Sequence, residues 1–412
     1  MRQVLIVAYY FPPIGGIGSI RAASFAKHLP EFGWRATVLA PADTPHSLDP
    51  SLDVDGVRVV RTRSLELSRI GRRPAAGGGD AGTTAPHQPV VRSAPAQRLR
   101  RLLKQAVFPD PQIGWYPAAA AGGLRALREG AFDLIFSSAF PITSHLVAWT
   151  LKQRSALPWV AEFRDPWSDD PDFRVVSAPA LRLERAISTK SDAVVLPYQT
   201  WADHYARRWG VEAAVIGPGS DVAFRSPVER PNPPVLAHIG TYNPARQSLE
   251  TLWSALAEMR RRGYAIPRLR CAGSFPDEAR AELERHGLLD ILELTGFVSQ
   301  PEALRLMSGA SALVACDFVD TTPLSLGWVP AKLPEYVASG VPIIYVGRQA
   351  GEAARMLSRY PGCHIVPFGD VEGAIRALQA AVAGGVHQRD GSDLSRRART
   401  AELAGLFDTI VG

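Results

Sequence analysis

The chain has 412 residues, too many for one ordinary hydrophobic core, and its 46% hydrophobic and 21% charged content is that of a globular protein. No apolar run reaches the roughly 18 residues of a transmembrane helix. A formal charge of +6 favours anionic partners. The aromatics are not interleaved with the basic residues and no nucleic-acid module is present, which leaves a phosphate-rich small molecule or an anionic membrane surface.

The N-terminal stretch Val4 to Phe11 is apolar but is stopped by Pro12 and Pro13, with no small-residue cleavage site after it. It reads as a first buried strand, not a signal peptide, and the chain is expected to be cytoplasmic. From there strands and helices alternate, which predicts an α/β fold with parallel sheets covered on both faces. A strand at Val4–Ala8 leads to a helix over Arg21–Phe32, which Gly33 closes. Strands follow at Thr37–Ala40, Leu134–Phe136, Trp159–Ala161 and Ala193–Leu196. Gly71 to Ala96 is rich in Gly, Ala, Pro and Thr and reads as a mobile insertion.

Over Gln97 to Phe108, Leu99, Leu102, Leu103, Ala106 and Val107 make an apolar stripe flanked by Arg98, Arg101 and Lys104. Such a helix suits a membrane interface, or packing on the first domain with its basic side chains snorkelling. Ser226–Pro234 reads as an extended linker. The alternation then restarts with a strand at Val235–Ile239, a helix at Leu249–Arg262 and strands at Leu269–Ala272, Ala312–Ala315 and Ile343–Val346. The expected domains are residues 1–225 and 235–390, with a C-terminal helix over 391–412 crossing back to the first. Cys271, Cys316 and Cys363 show no metal or redox spacing and read as free thiols in a reducing compartment.

Four stretches carry candidate chemistry. In Tyr9 to Leu29, Gly15, Gly16 and Gly18 lie between a strand and a helix, where backbone N–H groups can approach an anion. Gly16-x-Gly18 starts like a dinucleotide fingerprint, but Arg21 stands where the third glycine belongs. In Val160 to Trp167, Arg164 is a candidate for neutralising phosphate and Asp165 for orienting an acceptor hydroxyl or acting as a base. A structural Arg164–Asp165 pair at the turn before Pro166 is the plain alternative. In Gly240 to Leu252, Arg246 is expected at a helix start facing a diphosphate. In Trp328 to Gly347, Pro330 and Lys332 describe a phosphate-binding helix start, and Glu335 stands ready to accept bonds from two ribose hydroxyls. His145 is at helical spacing with Leu146 and Trp149, as a packed or a catalytic ring.

Together these stretches resemble the family-4 retaining glycosyltransferases of GT-B fold, over nearly the whole chain. The opening YFPP…GG…R and the P-x-K-L-x-E-Y-x-x-x-G-x-P-I stretch are the most specific parts, and FRDPW looks like the subgroup that builds surface polysaccharides and lipid-linked glycans. The resemblance implies two Rossmann-like domains facing across a cleft, with a nucleotide diphosphate sugar, UDP-linked, as co-substrate and no essential metal or other cofactor. It implies a glycan, a lipid-linked or a small-molecule acceptor. Carried over, Gly15 and Gly16 would face the donor phosphates, and Glu335 would match the second glutamate of an E-x7-E pair. Arg246, Gln247, Lys332 and Leu333 complete the expected donor side, with Arg21 on the acceptor side and Arg164, Asp165 and His145 as catalytic candidates. Three positions depart from the family: Gly327 stands for the first glutamate, Arg164 for a histidine, and Gln247 for a phosphate-binding lysine. An NAD-dependent oxidoreductase, with Asp43 on the ribose, is the alternative enzyme, and a non-catalytic sugar-nucleotide binder the alternative of another class.

Overall fold

The computed structural model describes residues 1–15, 17–42, 54–65, 107–168, 177–221, 231–320 and 322–412. Gly16, Asp43, the 71–96 insertion, residues 97–106 of the expected amphipathic helix and the first part of the linker lie outside them. The chain forms two compact units, one of Met1–Leu196, Val211–Ala214 and Leu403–Gly412, the other of Pro197–Gly210 and Val215–Glu402.

The first unit is built on β1 (Arg2–Ala8), α1 (Ile17–His28), β2 (Trp34–Pro41), β3 (Arg58–Thr62), α2 (Tyr116–Glu129), β4 (Leu134–Ala139), α3 (Thr143–Ser155), β5 (Trp159–Phe163), α4 (Ala178–Lys190) and β6 (Ala193–Leu196). After β6 the chain enters the second unit as α5 (Gln199–Trp209), then returns for β7 (Ala213–Val215). The seven strands are ordered β3-β2-β1-β4-β5-β6-β7, and β1 to β6 pair in parallel. β1, β4 and β5 are buried along most or all of their length, which is why they read as continuous apolar runs. The helix expected to run to Phe32 is α1 followed by a 3-10 turn, Leu29–Phe32, because Pro30 interrupts the α-helical bonding; Gly33, at φ 83°, caps that turn.

The second unit holds β8 (Val235–Ile239), α6 (Glu250–Arg261), β9 (Arg268–Ala272), α7 (Asp277–Arg285), β10 (Leu292–Gly296), α8 (Gln300–Ser308), β11 (Ala312–Cys316), α9 (Leu333–Ser339), β12 (Ile343–Val346), α10 (Glu352–Leu357), β13 (Cys363–Val366) and α11 (Val371–Ala383). Its parallel sheet has the order β10-β9-β8-β11-β12-β13. One face packs on Leu252, Leu256, Leu378 and their neighbours, the other on Leu333, Tyr336, Val337 and Leu357.

Both sheets are Rossmann-like, with the strand order reversing at β1/β4 and at β8/β11. The last helix, α12 (Arg396–Val411), ends in the first unit, where Phe407 is buried against Trp34 and Phe136. Trp34 Nε1 donates to Asp408 at 2.9 Å and Arg2 pairs with the same carboxylate at 3.0 Å. Among the described residues no helix is long and apolar enough to cross a membrane, and the three cysteines are free.

Candidate functional site

In the first unit the polar residues gather at the carboxyl ends of β1, β4 and β5. Glu162 is fully buried in an otherwise apolar strand, a position that needs hydrogen-bonding partners. It accepts from Arg21 Nε at 2.7 Å and from Ser138 Oγ at 2.5 Å. Arg21, the expected acceptor-side residue, is thereby tied down, with its guanidinium 4.9 Å from the Phe25 ring.

Arg164 is committed to backbone. Its Nε donates to Ala139 O at 2.8 Å, Nη1 to Gly18 O at 2.6 Å and Nη2 to Phe140 O at 2.6 Å. A Cβ at position 18 would lie 2.9 Å from Nη1, so a side chain there would push the Arg164 guanidinium from its present place. Burial lowers this guanidinium from its ordinary range, while the charges of Glu162 and Asp165 pull it back. Arg164 thus joins the start of α1 to the loop after β4, with Asp165 as its electrostatic neighbour. Gly15 precedes α1 and is partly exposed.

His145 is enclosed on α3, its ring centroid 4.5 Å from Phe163 and 6.2 Å from Trp159. Its Nδ1 lies 2.8 Å from Ser137 Oγ, which also accepts from Trp159 Nε1 at 2.7 Å. Burial, with the Arg164 charge second, pushes His145 down to about 3. It is a neutral ring in the packing of this unit.

In the second unit the strand ends carry a different set. Lys332 occupies the residue before α9, and its Nζ lies 3.0 Å from His238 Nε2 at the end of β8. Burial pushes this ammonium down to about 8. Gly240 follows β8 with φ 110°, and a Cβ there would lie 3.3 Å from Lys332 Nζ. The absence of a side chain at Gly240 leaves room beside the ammonium. Glu335 lies in the first turn of α9, partly buried, and its carboxylate takes no hydrogen bond from the described residues. Burial raises its pKa; the charge of Arg396 opposes this and that of Asp221 adds to it. Arg396 and Asp221 pair with each other at 2.8 Å.

Leu333 packs in the core, and its N–H donates to Pro330 O at 2.9 Å. Arg246 is not at a helix start: it lies in the turn before α6, because Asn243 accepts the N–H groups of both Arg246 and Gln247 and closes a turn there. Its guanidinium sits 4.6 Å from the Phe318 ring and 5.8 Å from Trp328. The Gln247 side chain accepts the Asn243 N–H at 3.0 Å. Gly327 lies against Trp201: a Cβ there would be 2.2 Å from the indole Nε1, which donates to Leu324 O at 2.9 Å.

The sequence reading missed the residues that hold this site. Arg348 makes a two-pronged pair with buried Asp317, at 2.9 and 3.0 Å. Its remaining donors reach Asp320 O, Ser325 Oγ and Ser325 O at 2.7 to 2.8 Å. All five guanidinium N–H groups are used, and they tie Asp317, Asp320 and Ser325 to one side chain. The available signal was position: Asp317 and Arg348 stand just beyond two adjacent parallel strands, β11 and β12. Glu162 and His238 were legible as lone polar residues in the apolar runs VAEF and VLAHI.

Residues 15–219 match the model of the glycosyl transferase 4-like domain, and residues 233–383 match that of glycosyl transferases group 1. The chain belongs to the glycosyltransferases. Among solved structures, this glycosyltransferase is similar to the sucrose-phosphate synthase of Thermosynechococcus elongatus, at 16% identity and TM-score 0.60, over 100% of this chain and 96% of that one. The lipopolysaccharide outer core galactosyltransferase WaaB is 13% identical with TM-score 0.60, over 99% of each chain. The Anabaena protein HepE, solved with UDP and glucose, is 16% identical with TM-score 0.54, over 100% and 97%. These likenesses show the GT-B fold. No curated protein sequence matches the glycosyltransferase. Neither matching model is that of an oxidoreductase, and the NAD-dependent alternative is set aside.

Proposed function

We propose that this glycosyltransferase moves a sugar from a nucleotide diphosphate sugar, UDP-linked, to an acceptor hydroxyl with retention at the anomeric carbon. The observation that carries the reading is the pair Lys332 and Glu335. One is an ammonium at the sheet's carboxyl edge, the other a carboxylate without a hydrogen-bond donor among the described residues. A nucleotide sugar offers both what they need: an anionic diphosphate for Lys332 and two ribose hydroxyls for Glu335.

Breaking the anomeric bond puts charge on the leaving diphosphate. A cation already in place lowers that barrier without reorganisation. Lys332, pushed down to about 8, is charged at neutral pH and loses little hydration on meeting the anion. Arg246, stacked beside Phe318 and Trp328, supplies a second cation in the same unit. The proton of the acceptor hydroxyl passes to a donor phosphate oxygen, so the chemistry asks for no protein base, metal or other cofactor.

The UDP and glucose of the Anabaena structure support a UDP-linked donor, and the lipopolysaccharide galactosyltransferase and the sucrose-phosphate synthase leave a glycan, a lipid-linked or a small-molecule acceptor in play. A cytoplasmic setting, peripheral on the inner membrane face through residues 97–108, completes the proposal and rests on the sequence. The test is slow hydrolysis of UDP-, GDP- and ADP-sugars by the purified chain, followed by NMR of the anomeric proton in transferred product. The reading expects turnover of a UDP-sugar with the donor's anomeric configuration kept. No turnover of any donor would leave a binding protein, and inverted product would sink retention.

A further inference from the structure

His238 is buried, and its two ring nitrogens meet opposite partners. Nδ1 lies 3.1 Å from the carbonyl oxygen of Val314, which only accepts, so Nδ1 carries the proton. Nε2 lies 3.0 Å from the Lys332 ammonium, which only donates, so Nε2 is bare. One tautomer of the neutral ring satisfies both bonds. Burial, and then the charge of Lys332, push His238 down to about 3, although backbone bonds to Val314 and Thr241 oppose this, so the ring stays neutral near neutral pH. The Gly240 turn passes close to the ammonium, where a Cβ would lie 3.3 Å from Nζ, and the imidazole is the ammonium's hydrogen-bond partner.

We infer that His238 is a positioning residue of the donor site, whose bare Nε2 holds the Lys332 ammonium in place and in its charged form for the donor diphosphate. The inference rests on the assignment of Lys332 to that diphosphate. Besides His238 from β8, the groups facing Lys332 are the Cys271 thiol from β9 and the Cys316 thiol from β11. Tyr336, from α9 itself, accepts the Ile239 N–H through its hydroxyl. Burial pushes both thiols up to about 12 and Tyr336 above its ordinary value. Within this cluster, only Lys332 titrates between pH 6 and 10.

Two pH profiles over that range test the inference. One is the affinity for UDP, ADP and GDP by calorimetry; the other is acetylation of Lys332 by acetic anhydride, read by mass spectrometry without any ligand. In the wild type both inflect near the Lys332 value of about 8. His238→Leu removes the acceptor and should move both inflections down by about one pH unit, since a hydrogen bond to a charged group is worth that much. UDP binding should then weaken about tenfold at pH 9 and little at pH 6. His238→Gln, whose amide oxygen accepts, should move them less. An acetylation inflection unchanged in His238→Leu overturns the inference. If that variant does not fold, an acetylation inflection unchanged in His238→Phe, which also lacks an acceptor, overturns it. Lys332→Ala that binds UDP as the wild type does would instead remove Lys332 from the donor site, and the acetylation profile would still decide whether His238 holds it.

Discussion

Gly327 and Trp201 occupy one place: any side chain at 327 would run into the indole ring, whose N–H is already bonded to Leu324 O. The resemblance sets Gly327 at the first glutamate of the family's pair, and the packing leaves no room for such a side chain here. Gly327→Glu should not improve turnover, and Gly327→Ala alone should cost about 1–3 kcal/mol by overpacking. Thermal melting of both variants checks this. A Gly327→Glu chain as stable as wild type and more active would contradict it.

Arg348 is expected to be a stability residue for the second unit, through its bonds to Asp317, Asp320 and Ser325. Arg348→Lys keeps a cation but cannot reproduce the fork on Asp317, which leaves that carboxylate with fewer partners at about 1–3 kcal/mol. Denaturant titration measures the loss, and proteolysis should then cut between Asp317 and Ser325.

Arg164 should behave likewise in the first unit. Three backbone carbonyls lose their donor in Arg164→Ala, so the melting temperature falls together with activity. A variant of wild-type stability with activity lost would mean that the guanidinium acts on substrate.

Acid should destabilise the chain through its buried histidines. His145 and His238 are pushed down to about 3, so between pH 6.5 and 3 the unfolded chain binds protons that the folded chain refuses. Stability therefore falls as pH drops, by up to about 1.4 kcal/mol per pH unit for each ring. His145→Gln should flatten the slope of denaturation midpoint against pH from 6 to 4. An unchanged slope would show that the ring protonates in the folded state.

Much of the fold was legible because buried parallel strands are apolar throughout: β6, β8 and β12 fall at their expected bounds. Strands β3 and β10 escaped notice because they lie at sheet edges and are half exposed, so their apolar residues do not form a run. At the site, Lys332 and Glu335 were visible in a specific motif. Arg164 and Gln247 could not be placed, because a polar side chain that bonds to backbone looks in sequence like one that faces a ligand. The ties that fix the loops, Arg348 to Asp317 and Lys332 to His238, join residues 31 and 94 positions apart, and only the fold brings them together.

The most direct measurement is equilibrium binding of UDP to the wild type and to Glu335→Ala, with NAD as the control. Losing a carboxylate that grips two ribose hydroxyls should weaken UDP about 10- to 100-fold, while the melting temperature without ligand stays near that of the wild type. UDP bound equally by both proteins, or not at all by the wild type, would contradict the assignment of this edge of the second unit to the donor.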